Sequence, residues 1–252
     1  MSLDRRAFLG VAGLSALVVA GRSSLGALAG TGERTGTQPL TRWAMIIDPR
    51  KCLKVEGCTD CIAACDAAHN VPQIPEPAHE VKWIWREPFA GAFPAQAGPY
   101  PEEPLRERPV LVFCNHCDNP PCVRVCPTQA TWKRQDGIVM MDWHRCIGCR
   151  YCVAGCPYGS RSFNWQDPRP YIKTLNPSFP TRTKGVVEKC NFCEERLARG
   201  EPPACVAACK EKALLFGNLE DAGSAVRQLL RTRYAIRRRP ELGTGPAIYY
   251  LV

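Results

Sequence analysis

Sixteen cysteines stand in this chain in four groups of four, with none left over. The groups are Cys52, Cys58, Cys61 and Cys65; Cys114, Cys117, Cys122 and Cys126; Cys146, Cys149, Cys152 and Cys156; and Cys190, Cys193, Cys205 and Cys209. Every group ends in C-x3-C, Pro127 and Pro157 close the second and third, and the third reads C-x2-C-x2-C-x3-C-P. This regularity constrains the fold more than any hydrophobic period, because so many sulfurs must be gathered at a few points. A length of 252 residues with 45% apolar residues suits one or two folded domains, while 23 prolines and 20 glycines argue against a helical bundle.

Three chemistries use cysteines in even sets. A disulfide framework suits short secreted domains and does not explain the same spacing repeated. Zinc uses two separated C-x2-C pairs, often with histidine, and has no need of a C-x2-C-x2-C triplet. The triplet is the spacing of cubane iron-sulfur ligation. Three cysteines on a tight loop converge on three irons while loop N-H groups offset sulfide charge. The fourth, beyond another turn and stopped by proline, points toward the other cluster of a pair. Four such groups imply two crossed pairs.

Between the second and third groups, Asp136-Gly137 is a hairpin signal flanked by the short runs 130–133 and 138–141. Residues 109–163 are therefore expected to form an inner ferredoxin-like unit, with 30–108 and 164–252 wrapped around it as an outer one. The expected fold class is α+β: two intertwined bacterial 2[4Fe-4S] ferredoxin-like units with long loop insertions. Nine prolines between positions 71 and 109 exclude long helices there and suggest an extended insertion over the surface or against a partner. Within it, Val81-Lys82-Trp83-Ile84-Trp85 reads as a strand with aromatic packing. Val226, Leu229 and Leu230 fall at helical spacing within 224–233, and the tail 247–252 reads as a late strand or a docking segment.

Residues 1–29 have the zones of an export signal: Asp4, Arg5 and Arg6, then an uncharged run, then Ala27-Leu28-Ala29 before Gly30. The paired arginines followed by Ala-Phe-Leu are similar to a twin-arginine motif, so a periplasmic place is expected, with an uncleaved membrane anchor as the alternative.

The four groups, HNVP after the first, CIGCRYCVAGCPYGSR in the third and KGVVEKCNFCEERLARGEPPACVAAC in the fourth resemble the four-cluster iron-sulfur subunits that accompany molybdopterin reductases and quinone-interacting membrane proteins. Within that family, CTDCIAACDAAHNVP, VKWIW, SFNWQDPRP and the ending GPAIYYLV are similar to the exported subunit of membrane complexes associated with dissimilatory sulfite reductase. The resemblance implies four [4Fe-4S] clusters in crossed ligation. One takes Cys52, Cys58, Cys61 and Cys209; a second takes Cys190, Cys193, Cys205 and Cys65. The third takes Cys114, Cys117, Cys122 and Cys156, and the fourth Cys146, Cys149, Cys152 and Cys126. It also implies an electron relay between a quinone-interacting integral membrane subunit and a multihaem cytochrome c, membrane-associated through these partners. A molybdopterin reductase subunit of polysulfide or tetrathionate type is the first alternative, and a zinc-stabilised binding module the second. The first group departs from the family's C-x2-C by Cys52-x5-Cys58, so that loop must bulge.

Charge and the remaining motifs add little that competes. The formal charge of +9 becomes +7 without residues 1–29. Four oxidised cubanes with their thiolates would contribute about −8. The basic composition therefore balances cluster charge, and nucleic-acid binding is not read from it. Arg231, Arg233, Arg237, Arg238 and Arg239 form a local basic run whose ordinary reading is a solvated face, with docking to an acidic partner or lipid headgroups as the alternative. His69, His79, His116 and His144 lack a paired nucleophile. His69 and His144 stand where they could tune a cluster, though packing or a surface place is the ordinary role. There is no Gly-rich phosphate loop and no C-x-x-C-H haem motif, so no catalytic site is expected.

Overall fold

The computed structural model describes residues 41–98, 100 and 102–252; the expected signal segment lies outside the described residues. Its first elements are β1 (Trp43–Ile47), α1 (Pro49–Cys52), α2 (Asp60–His69), β2 (Ile84–Pro88), α3 (Phe89–Ala92), α4 (Glu103–Arg106) and β3 (Pro109–Phe113). Next come α5 (Pro121–Arg124), β4 (Thr131–Lys133), β5 (Val139–Met141), α6 (Tyr151–Ala154), β6 (Ser162–Phe163), β7 (Val187–Glu188), α7 (Glu194–Leu197) and α8 (Ala204–Ala208). The chain finishes with β8 (Leu214–Asn218), α9 (Ala225–Thr232), β9 (Ala235–Ile236) and β10 (Ile248–Leu251). The class is mixed α and β, and no helix among the described residues is long and apolar enough to cross a membrane.

One four-stranded sheet runs β8-β1-β10-β9, and three two-stranded sheets pair β2 with β3, β4 with β5 and β6 with β7. β1 is antiparallel to β8 and parallel to β10, so both its edges are paired. Its near-continuous apolar sequence follows from burial on both faces. Met45 and Ile47 enter the main core, whereas Ala44 and Ile46 meet Val226 and Leu251 on the other face. Helix α9 forms where its spacing predicts it, with the Ser224 side chain accepting from the Arg227 backbone N-H as its N-cap. The tail is a strand in the middle of the sheet, and the Tyr250 hydroxyl donates to the Leu111 carbonyl 3.0 Å away.

The hairpin at Asp136-Gly137 joins β4 to β5, and Gly137 takes the positive φ of +86° that the tight turn needs. The proline-rich insertion lies over the surface only in part: most of the described residues in 75–80 and 94–109 are exposed, but the stretch between them corrects that expectation. Val81, Trp83, Ile84, Ala92 and Phe93 are buried and belong to the main core. Proline did exclude long helices there, for α3 and α4 have four residues each. Its strand begins at Ile84 and pairs across to β3, while Trp83 turns inward. Arg238 corrects the solvated reading of the basic run: its side chain is 2% exposed, 2.8 Å from Glu87 and donating to the Ala92 carbonyl.

Candidate functional site

The fold brings all sixteen cysteines together four at a time, and none forms a disulfide. Cys52 from the end of α1, Cys58 from the following loop, Cys61 from α2 and Cys209 from just beyond α8 line one cavity of about 220 Å³. The residues between Cys52 and Cys58 bulge as their number demands, with Gly57 at a φ of +71°. Arg86 of β2 joins the lining and donates to the Cys58 carbonyl. Cys65 from the last turns of α2 meets Cys190, Cys193 and Cys205, all buried. This second quartet forms because α2 packs against α8. A third cavity is lined by Cys114, Cys117, Cys122 and Cys156, and a fourth by Cys126, Cys146, Cys149 and Cys152. Each quartet draws three residues from one sequence group and one from another.

The quartets also fall into a row. Cys61 of the first acts electrostatically on Cys205 of the second, Cys114 of the third on Cys190 of the second, and Cys122 of the third on Cys152 of the fourth. At the second-third junction the imidazole of His116 stacks on Phe192, centroids 3.7 Å apart. His116 lies between Cys114 and Cys117, and Phe192 between Cys190 and Cys193, so two cysteine loops touch through their middle residues.

These loops are held in conformations that curl the chain around a point. His116, Arg150, Phe192 and Cys193 have φ of +42°, +61°, +59° and +53°. In the third group the same need is met by Gly148, at +70°, where a Cβ would overlap the Gly185 carbonyl oxygen. Several backbone N-H groups point at sulfur: Phe192 to Cys190 at 3.4 Å, Ala204 to Cys193 at 3.3 Å and Ala213 to Cys209 at 3.2 Å. Such donors stabilise a charged sulfur.

Left as bare thiols, the most deeply buried of these cysteines resist ionisation. Burial, then the neighbouring cysteines, pushes Cys61 up to about 11 and Cys117 up to about 12. Cys65, Cys190 and Cys205 are raised by the same causes. A coordinated metal inverts this, since it deprotonates its thiols outright.

Buried cations supply the test of what the quartets hold. Arg161 donates to the Cys122 sulfur at 3.1 Å and to the Thr131 hydroxyl at 2.8 Å. The ammonium of Lys189 donates to the carbonyls of Val139 and Cys190. Both residues are at most 4% exposed, and among the described residues neither has a carboxylate within ion-pair distance. An uncompensated buried cation costs several kcal/mol, of order 3–5. Among the described residues the sulfur quartets are the only anionic partners in reach of these two, and a cluster carrying about −2 with its thiolates matches the need. The donor set therefore fits a polyanionic iron-sulfur group better than neutral thiols.

His69 is a further partner. Its Nδ1 lies 3.5 Å from the Cys65 sulfur and 3.0 Å from the Cys65 carbonyl, and its Nε2 lies 3.0 Å from Glu195. Burial lowers His69, but bonds to Cys193 and Glu195 outweigh it and raise it to about 9. His69 thus touches the second quartet, whereas His144 is exposed and His79 stacks near Trp165 away from the sulfurs.

Residues 110–172 match the 4Fe-4S dicluster domain. Over 229 residues the chain is 41% identical to the Hdr-like menaquinol oxidoreductase iron-sulfur subunit 1 of Archaeoglobus fulgidus, covering 83% of this chain and 82% of that one. It is 36% identical over 233 residues to the menaquinone reductase iron-sulfur cluster-binding subunit of Nitratidesulfovibrio vulgaris, covering 83% and 88%. A tetrathionate reductase subunit of Salmonella typhimurium is 38% identical over 226 residues, covering 87% and 76%. The chain belongs to the iron-sulfur subunits of oxidoreductases. Three charged residues of this iron-sulfur subunit escape a reading by cysteine spacing: Arg86, Arg161 and Lys189. Two of them leave a trace in sequence, since Lys189 immediately precedes Cys190 and Arg161 closes the run CPYGSR.

Proposed function

We propose that the chain is an electron-transfer subunit holding four [4Fe-4S] clusters, one in each quartet. The observation that carries this is the division of sixteen buried or half-buried cysteines into four quartets in a row, flanked by cations that lack carboxylates. The ligands are Cys52, Cys58, Cys61 and Cys209; Cys65, Cys190, Cys193 and Cys205; Cys114, Cys117, Cys122 and Cys156; and Cys126, Cys146, Cys149 and Cys152. Bound cubanes supply one-electron chemistry at each position. The protein's own residues set spacing, burial and charge. Cysteine loops fix the sulfurs, backbone N-H groups and His69 donate toward them, and Arg161 and Lys189 offset their charge.

The finer reading is that the two intertwined ferredoxin-like units are exported by the twin-arginine route and work on the periplasmic side. There they connect a quinone-interacting membrane subunit to a multihaem cytochrome c, as DsrO does in the complex associated with dissimilatory sulfite reductase. The names of the menaquinol and menaquinone relatives support the quinone side. The tetrathionate reductase relative favours a second reading, in which the partner is a molybdopterin enzyme. Anaerobic isolation of the native membrane complex decides. About sixteen irons per chain and c-type haem with no molybdenum are expected; molybdenum without haem selects the second reading. Absence of iron and labile sulfide from the subunit refutes both.

A further inference from the structure

The two carboxylate-free cations are not spread evenly along the row. Lys189 sits where the second and third quartets meet, within electrostatic reach of Cys190, Cys114 and Cys122. Arg161 sits where the third and fourth meet, bonded to Cys122 and within reach of Cys152 and Cys114. The quartet of Cys114, Cys117, Cys122 and Cys156 is thus the one within reach of both buried positive charges.

Every other position is less favoured. The second quartet shares Lys189, but its other polar neighbour is the His69–Glu195 pair, whose opposite charges largely cancel. The fourth shares Arg161; Arg150 also lines it but is exposed, so water screens that charge. The first has Arg86, which is half-buried, so water screens it. Gaining an electron adds a negative charge, and a fixed cation in a low-dielectric interior stabilises that charge far more than an exposed one does. Burial opposes reduction of an anionic group, and it does so most at the second quartet, where all four cysteines are buried.

We propose that Lys189 and Arg161 are potential-setting residues that make the third quartet the highest-potential position of the row, so that an electron entering from either end rests there. This rests on the four-cluster reading above. The step moves one electron between neighbouring positions, one being oxidised as the other is reduced; no bond forms or breaks and no proton is required. Neither side chain meets a substrate, so both act through the group that the cysteines hold.

The test is a redox titration of the full-length, anaerobically prepared holoprotein followed by electron paramagnetic resonance. The signal of the third position is assigned by its loss or change in Cys117→Ser. It is expected to be the first reduced as the potential falls. Lys189→Met and Arg161→Met should each shift its reduced-to-oxidised ratio at fixed potential at least tenfold toward oxidised, equivalent to about 59 mV for one electron. Lys189→Met should also move the second signal, Arg161→Met the fourth, and neither the first. Lys189→Arg and Arg161→Lys, which keep the charge, should restore the wild-type order. A methionine variant short of iron is replaced by Lys189→Gln or Arg161→Gln, and the wild-type order of reduction tests the proposal without any variant. Cubane signals in which the third position is not reduced first, or is unmoved by either loss of charge, overturn the inference alone. Wild-type protein with no cubane signal overturns the four-cluster reading instead.

Discussion

The ion pair Arg182–Glu188 joins the cysteine sites to the rest of the core, and its removal is the most demanding stability test. Arg182 Nη2 lies 2.6 Å from Glu188 Oε2 and neither side chain is exposed. Glu188 also accepts from Trp83 Nε1 at 3.0 Å and from Asn164 Nδ2 at 2.6 Å. Arg182 donates to the carbonyls of His69 at 2.5 Å and Asn70 at 2.8 Å, which satisfies the end of α2. Its guanidinium lies over Trp83, Trp143 and Phe179 at 5.6, 5.5 and 5.8 Å. Replacing it as Arg182→Met leaves a buried carboxylate without its cation, at a cost of about 3–5 kcal/mol. Arg182→Met with Glu188→Gln removes both charges; the glutamine oxygen still accepts from Trp83, and its amide N-H can donate to Asn164 Oδ1, which has no partner among the described residues, once that amide turns over, so most of that cost should vanish. Loss of a bound cluster makes unfolding irreversible, so the quantity to compare is a rate. Iron release at fixed urea under anaerobic conditions should be at least tenfold faster in Arg182→Met, and from ~100-fold to several thousandfold faster where the pair is already broken in the transition state. The double variant should fall within about threefold of wild type on the same scale. A single variant as slow as wild type, or a double variant as fast as the single, would refute the claim that the unpaired charge is what destabilises.

Three further outcomes follow from the same geometry. His69→Leu removes the donor beside Cys65 and leaves Glu195 unpaired, so the second position should become harder to reduce while the first keeps its midpoint; redox titration checks this. Gly148→Ala forces a Cβ against the Gly185 carbonyl at a φ of +70°, and iron analysis should show the loss of about one cluster, that of the fourth position. Val226→Ala empties a fully buried contact between α9 and the sheet and should cost about 1–3 kcal/mol, seen as faster iron release with unchanged reduction potentials.

The cysteine spacing made the chemistry readable because ligand geometry is local: a C-x2-C loop must curl, and Gly148, Phe192 and Cys193 show how. The hairpin at Asp136-Gly137 was readable for the same reason, and so was α9, whose cap and apolar stripe lie close together in the chain. What the sequence hid was long-range. Proline density correctly excludes helices from the insertion, but it does not report that Trp83 and Phe93 fill the core. Arg238 reads as one arginine among five, and its partners Glu87 and the Ala92 carbonyl, 151 and 146 positions away, are what give it a reason to be buried. His69 opens the HNVP stretch one helical turn past Cys65, close enough in sequence to be offered as a cluster neighbour, but its bond to Glu195 spans 126 positions and could not be read there.

The first quartet depends on strand register more than on its own loop. β1 delivers the chain to Cys52, and Cys209 delivers it to β8, so the two halves of the quartet are set by how β1 and β8 align. That alignment pairs Ile47 with Leu214, and the Asp48 N-H continues it by donating to the Ala213 carbonyl at 2.8 Å. A slip of one residue would turn Met45 and Ile47 away from the main core and draw Cys52 past Cys209. The register is fixed from the other edge as well, where β10 pairs Met45 with Ile248 and sends Ile248 and Tyr250 into the same core as Met45. The final strand of the chain, about forty residues beyond the last cysteine, therefore helps to position the first cysteine quartet, although it contributes no ligand to it.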